Sequence, residues 1–160
     1  MNNLQGNLGI GHVRYPTAGG IGKEFAQPMY VNTPYGISLA HNGNLTNSKK
    51  LAAELFHAER RHINTDSDSE VLLNIFALEL SKQEAVFPKP KDFFSAVEKT
   101  HLRINGAYAV VALITGYGIL AFRDPLGIRP YQLESEKEKT EMNMLYPLKL
   151  HFSHQQVLNF

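Results

Sequence analysis

Residues 107–114 run Ala-Tyr-Ala-Val-Val-Ala-Leu-Ile, and no other stretch limits the possible folds so tightly. A continuous β-rich apolar run of this length is expected of a strand covered on both faces. Gly116-Tyr117-Gly118 then supplies a tight turn, and residues 119–123 return as a second strand. Upstream the period is helical. Residues 47–60 place Leu51, Ala52, Leu55 and Phe56 on one side of a helix, with Lys and Glu between them. Ser67-Asp68-Ser69-Glu70 has the form of a capping box, with Ser67 as N-cap and Glu70 reaching back to it, ahead of Val71, Leu72, Ile75, Phe76 and Leu80. Pro88 and Pro90 interrupt, and residues 92–104 resume helical spacing through Phe93, Val97 and His101 or Leu102. Tyr30-Val31 and residues 37–41 are β-like on either side of Asn32-Thr33-Pro34-Tyr35-Gly36, which predicts a hairpin. Residues 8–13, with two glycines, are expected to form a strand running into a loop. Strands, then helices, then a hairpin indicate an α+β layered domain.

With 160 residues the chain suits one domain with a real core, and 43% apolar against 19% charged residues is ordinary for a globular protein. A net charge of +1 gives no electrostatic footprint for nucleic acid or anionic lipid, so neither is expected as a partner. The absence of cysteine excludes disulfides, thiolate metal sites and cysteine catalysis within these residues. Residues 1–6 show no basic and apolar leader, and the longest apolar run is too short to span a bilayer, so a cytoplasmic protein is expected. After Pro130 the composition changes. Residues 134–141 form a charge run, and residues 142–160 keep no clean period. Residues 131–160 are therefore expected to be a divergent tail with the composition of a disordered segment, behind a domain covering 1–130.

Arg14 follows the first expected strand, beside a loop holding Thr17. Its guanidinium suits bidentate binding of a carboxylate, and equally an ordinary surface ion pair. Asn42-Gly43 stands at the end of a strand. A side-chain amide and an adjacent backbone N–H suit an oxyanion hole, though the dipeptide is also a common tight turn. Asp68 occupies the first turn of a helix, where the macrodipole favours a carboxylate; it suits a ligand ammonium, and helix capping also accounts for it. His12 and His41 lie near strand ends without the spacing of a metal pair. Gly9-Ile10-Gly11 lacks the third glycine of a dinucleotide fingerprint, and no P-loop is present.

Four segments in this order carry a specific resemblance. They are Gly9-Ile10-Gly11-His12-Val13-Arg14-Tyr15-Pro16-Thr17-Ala18-Gly19, Leu39-Ala40-His41-Asn42-Gly43-Asn44-Leu45-Thr46-Asn47, Arg61-His62-Ile63-Asn64-Thr65 with Ser67-Asp68-Ser69-Glu70, and Phe122-Arg123-Asp124-Pro125-Leu126-Gly127-Ile128-Arg129-Pro130. From Gly6 to about Pro130 the chain resembles the central part of the class II glutamine amidotransferase domain of the amidophosphoribosyltransferases, bacterial type. The last segment separates that family from hexosamine-forming relatives.

The resemblance implies a partial four-layer α/β/β/α sandwich of the N-terminal-nucleophile hydrolase type. It implies that glutamine is hydrolysed and its ammonia passed to phosphoribosyl pyrophosphate, giving phosphoribosylamine for purine synthesis. Arg14 would bind the glutamine α-carboxylate, Asp68 its α-ammonium, and Thr17 would line the pocket. Asn42 and the Gly43 N–H would form the oxyanion hole. The family nucleophile is an amino-terminal cysteine that uses its own α-amino group as base. No residue here matches it, so the polypeptide as written is expected to be inactive, and the alternative is a non-catalytic glutamine-binding or interaction module. No cofactor is expected in this chain, because the Mg²⁺ and phosphoribosyl pyrophosphate of the family belong to a further domain. Intact members form homo-oligomers. The composition break near Tyr131 suggests a truncated or frame-disturbed gene product. A sandwich lacking its opening strands is expected to be marginally stable or prone to aggregate.

Overall fold

In the computed structural model, residues 6–13, 22–83, 85–130, 132–135 and 148–151 are described. Strands β1 (Met29–Val31) and β2 (Ile37–Leu45) are followed by helices α1 (Ser48–His57), α2 (Asp68–Ser81) and α3 (Pro90–Arg103). Strands β3 (Gly106–Ile114) and β4 (Gly118–Arg123) complete an antiparallel sheet of order β1-β2-β3-β4. A separate two-stranded ladder pairs β5 (Gln132–Ser135) with β6 (Leu148–His151), Gln132 opposite His151. The expected α+β architecture is present, with the four-stranded sheet carrying the helical layer.

The sheet is built on β2 and β3, which pair over their full lengths from Ile37↔Ile114 to Leu45↔Gly106. Side chains alternate across a strand, so Ile37, Leu39, His41, Gly43 and Leu45 share one face. On that face Ile37, Leu39 and Leu45 join Tyr108, Val110, Ala112, Ile114 and Phe122 in the main core, against the helices. Ala40, Ala109 and Val111 occupy the opposite face and are buried as well, outside that core cluster. The continuous apolar run of β3 is thereby explained: both of its faces are covered.

Helix α2 packs on the sheet and lies between α1 and α3, with every residue from Ser69 to Leu80 buried. That is why its sequence is apolar nearly all round, whereas α1 buries only Leu51 and Leu55 and leaves Phe56 exposed. Helix α3 begins two residues before its periodic pattern. Pro90 takes the first helical position, where no N–H is needed, and the Asp92 carboxylate accepts the Lys89 N–H at 2.7 Å. Arg103, at the end of α3, ties the three helices together through Glu79 of α2 and Glu54 of α1, each at 2.6 Å.

Three expectations need correction. Residues 6–13 form no strand, and Leu8 and Val13 are exposed, so the segment has no buried alternating face to hold it in a ladder. Strand β2 does not end at Asn42-Gly43 but continues to Leu45. Glu70 does not reach back to Ser67. Ser67 caps α2 by accepting the Ser69 N–H at 3.3 Å, and the Glu70 carboxylate passes over it to the preceding loop. There it accepts the backbone N–H and side chain of both Asn64 and Thr65, at 2.7–2.9 Å. Burial alone would raise the Glu70 pKa, and these four hydrogen bonds outweigh it and hold the carboxyl below its ordinary value.

Candidate glutamine site at the open edge of β2

Strand β1 pairs with β2 only as far as Met29↔Leu39, so beyond Leu39 one edge of β2 has no neighbouring strand among the described residues. Two of the backbone donors on that edge are taken by side chains. The His41 N–H donates to Gln27 Oε1 at 2.6 Å, and the Leu45 N–H donates to Asp68 Oδ2 at 2.9 Å. In an antiparallel strand the N–H direction repeats every second residue, so the Gly43 N–H points to the same edge, between these two. On the other side, Thr46 N–H donates to Asn105 O, which keeps the even-numbered donors directed at β3.

Position 43 requires glycine. Its φ is +147°, and a Cβ there would stand 2.0 Å from the Ala107 carbonyl oxygen and 2.7 Å from Tyr108 Cα. The close approach fits the Gly43↔Tyr108 pair being one of the narrow, non-hydrogen-bonded pairs of the ladder. Asn42 faces the side of the sheet away from the helices, and its Oδ1 lies 3.1 Å from His12 Nε2.

Asp68 opens α2, with Ser67 performing the capping, so its carboxylate is free of that duty and turns to the β2 edge. Beside it His41 is buried, its Nδ1 3.0 Å from Ser69 Oγ and 3.9 Å from Asp68 Oδ1. Burial lowers the His41 pKa to about 4; the Asp68 carboxylate opposes this, and the Arg129 guanidinium reinforces it. At neutral pH the ring is therefore neutral, and its contact with Asp68 is not an ion pair.

Arg129 is held near this group by Asp124. The Asp124 carboxylate is buried and accepts the N–H groups of Ile128 at 2.9 Å, Arg129 at 3.1 Å and Tyr108 at 3.4 Å. Burial would raise its pKa, but these backbone donors lower it below the ordinary value. The carboxylate thus folds residues 125–129 back over the end of β4.

Of the residues singled out in the sequence, Asn42, Gly43 and Asp68 are brought together at one edge. Arg14 and Thr17 lie outside the described residues. Gln27, Ser69 and Arg129 were not foreseen as neighbours of this edge, because each arrives from a separate element. The only sequence sign was the presence of Ser69 and Arg129 inside the segments that carry the family resemblance. Among the described residues no three His, Asp or Glu side chains gather in a way that could hold a metal ion. No helix among them is long and apolar enough to cross a membrane.

Residues 21–142 match the family model described as a glutamine amidotransferase domain, and the chain belongs to that family. Within it, the similarity is to amidophosphoribosyltransferases. The enzyme of that name from Pasteurella multocida is 59% identical over 143 residues, which cover 88% of this chain and 28% of the relative. The one from Escherichia coli is 56% identical over 144 residues, again covering 88% and 28%. Among solved structures, the glutamine phosphoribosylpyrophosphate amidotransferase from B. subtilis, complexed with ADP and GMP, superposes with a TM-score of 0.61 at 27% identity. That match covers 80% of this chain and 25% of the other. The chain thus spans little more than a quarter of the length of the curated relatives it matches.

Proposed function

We propose that this chain is the central part of the glutamine-binding half of an amidophosphoribosyltransferase glutaminase domain. In the whole enzyme, glutamine and water give glutamate and ammonia here, and the ammonia displaces pyrophosphate from phosphoribosyl pyrophosphate. The observation that carries the reading is the convergence at the open edge of β2. A backbone N–H at Gly43, the Asn42 amide one residue before it, and the Asp68 carboxylate are set within one short stretch of strand and helix start.

In this reading Asp68 accepts from the glutamine α-ammonium, while its second oxygen stays on the Leu45 N–H. Asn42 and the Gly43 N–H take the oxygen of the γ-carbonyl as it becomes an oxyanion. Arg14 holds the α-carboxylate and Thr17 lines the pocket. Burial keeps His41 neutral, so no imidazolium competes with the ligand ammonium for Asp68. A nucleophilic thiolate is not among these 160 residues, which contain no cysteine. The polypeptide alone is therefore a glutamine-holding site with its oxyanion donors in place, and its turnover is orders of magnitude below that of a glutaminase. A non-catalytic glutamine-binding module is the second reading, and the cysteine-free composition of these 160 residues accords with it.

Calorimetric titration of the 160-residue chain with L-glutamine tests both readings. Saturable binding is expected, weakened about tenfold or more by Arg14→Ala and by Asp68→Ala, since each removes a charge-assisted contact. Binding that neither substitution alters would overturn the site. Ammonia release within tenfold of ordinary glutaminases would overturn the claim about turnover.

A further inference from the structure

The Asn42 side chain is useful as an oxyanion donor in only one of its two amide orientations. Presented by Nδ2 it donates; flipped by 180° it presents Oδ1, an acceptor, to a developing negative charge. Its immediate neighbour decides between them. We propose that His12 is a positioning residue that locks the Asn42 amide with Nδ2 free for the substrate oxygen, a role that rests on the glutamine-site reading above.

His12 Nε2 lies 3.1 Å from Asn42 Oδ1. With the ring proton on Nε2 this is an N–H···O hydrogen bond. With the amide turned as it stands in the structure, Oδ1 toward the ring, a proton on Nδ1 would leave two acceptors facing each other, so this orientation goes with the Nε2–H tautomer and the flipped one with Nδ1–H. The other ring nitrogen does not pull the ring elsewhere: Nδ1 is buried without a hydrogen-bond partner among the described residues. Among the described residues the ring therefore has one hydrogen bond, to the amide oxygen.

The placement also accounts for a segment that the fold otherwise leaves unexplained. Residues 6–13 belong to no strand, yet they deliver His12 to the sheet face on which Asn42 projects. Asn42 is central in β2, opposite Ala109 of β3, so its backbone is held by the ladder and its amide rotation is the remaining freedom. His12 removes it. His12 touches no reacting atom in this scheme; it acts through Asn42.

The test compares L-glutamine with L-norvaline, which has the same carbon skeleton without the amide, as ligands of the full chain. The native chain is expected to prefer glutamine, and Asn42→Ala to abolish the preference. His12→Ala should cost about tenfold in glutamine affinity with norvaline unchanged, the size expected for one well-placed hydrogen bond. His12→Gln, whose amide also donates, should restore most of it, and His12→Ala combined with Asn42→Ala should bind no worse than Asn42→Ala alone. Glutamine binding in His12→Ala equal to the native chain, while Asn42→Ala has lost the preference, overturns the proposal. If the native chain binds no glutamine, the functional reading fails instead. The ¹⁵N shifts of the His12 ring then still decide this one: a proton on Nε2 supports it, and a proton on Nδ1 overturns it.

Discussion

The two halves of β2 solve the same problem in different ways. From Ile37 to Leu39 the strand is paired on both sides, by β1 and β3, and its inward side chains are apolar and fully buried. From Ala40 to Leu45 it keeps β3 on one side and, among the described residues, has no strand partner on the other. There Gln27 and Asp68 replace the missing strand one hydrogen bond at a time, and the inward residues become His41 and Gly43. The paired half serves the core. The half-paired one exchanges ladder bonds for contacts with polar side chains, the kind of group that meets a small polar ligand.

Gly43→Ala attacks the half-paired region hardest. The new Cβ would meet the backbone of Ala107 and Tyr108, which cannot move aside as a flexible side chain would, at a φ that L-residues avoid. Strain and overpacking together should cost about 3 kcal/mol or more, measured by denaturant unfolding. Gly9→Ala, with nothing within 4 Å of its Cβ, is the control and should be near neutral. Equal stabilities for the two variants would mean that β2 and β3 do not approach as closely as the structure shows.

The pH dependence of stability separates the halves next, because only the second buries a histidine. Unfolded, His41 titrates near 6.5; folded, near 4. Between these values the unfolded chain binds more protons, so stability falls as pH drops through 6.5, and the His41 contribution levels off below about 4. The loss is roughly 3 kcal/mol for His41. His101, also lowered by burial, adds in the same direction, whereas Glu70 and Asp124 act only below their ordinary values of 4.5 and 3.8. His41→Gln should therefore flatten most of the slope between pH 6.5 and 4.5. An unchanged slope would show that burial at this position does not hold the ring neutral.

This contrast also marks where sequence stops being informative. Helix α2, the β3–β4 hairpin and the paired half of β2 were legible, because each is set by short-range periodicity: Val71, Leu72, Ile75 and Phe76 in one case, the apolar run around Val110 in another. The half-paired region was not. Asn42-Gly43 has the composition of a turn, and nothing local shows that Gln27 and Asp68 will carry the strand past it to Leu45. Glu70 was misplaced for a similar reason, since four donors in Asn64 and Thr65 outbid the single N–H behind it. Likewise His12 and Arg129 reach the site through loops, where spacing along the chain says little about neighbours in space. The residues proposed for the site were nameable from the segments that carry the family resemblance, but their geometry was not.

Amide hydrogen exchange gives the finest division of β2. In the native chain Leu39 should be the best protected of the odd-numbered positions, held in the ladder with β1. His41 and Leu45 should follow, each depending on one side-chain acceptor, and Gly43 should exchange fastest of the four. Gln27→Ala should then accelerate His41 alone, and Asp68→Ala should accelerate Leu45 alone, each by the five- to tenfold that corresponds to about 1 kcal/mol for one hydrogen bond lost. Added L-glutamine should slow exchange at Gly43 if its N–H meets the γ-carbonyl. Protection of Gly43 equal to that of Leu39 without ligand would mean that the edge is already closed by another part of the chain, and the oxyanion-hole assignment would fall with it.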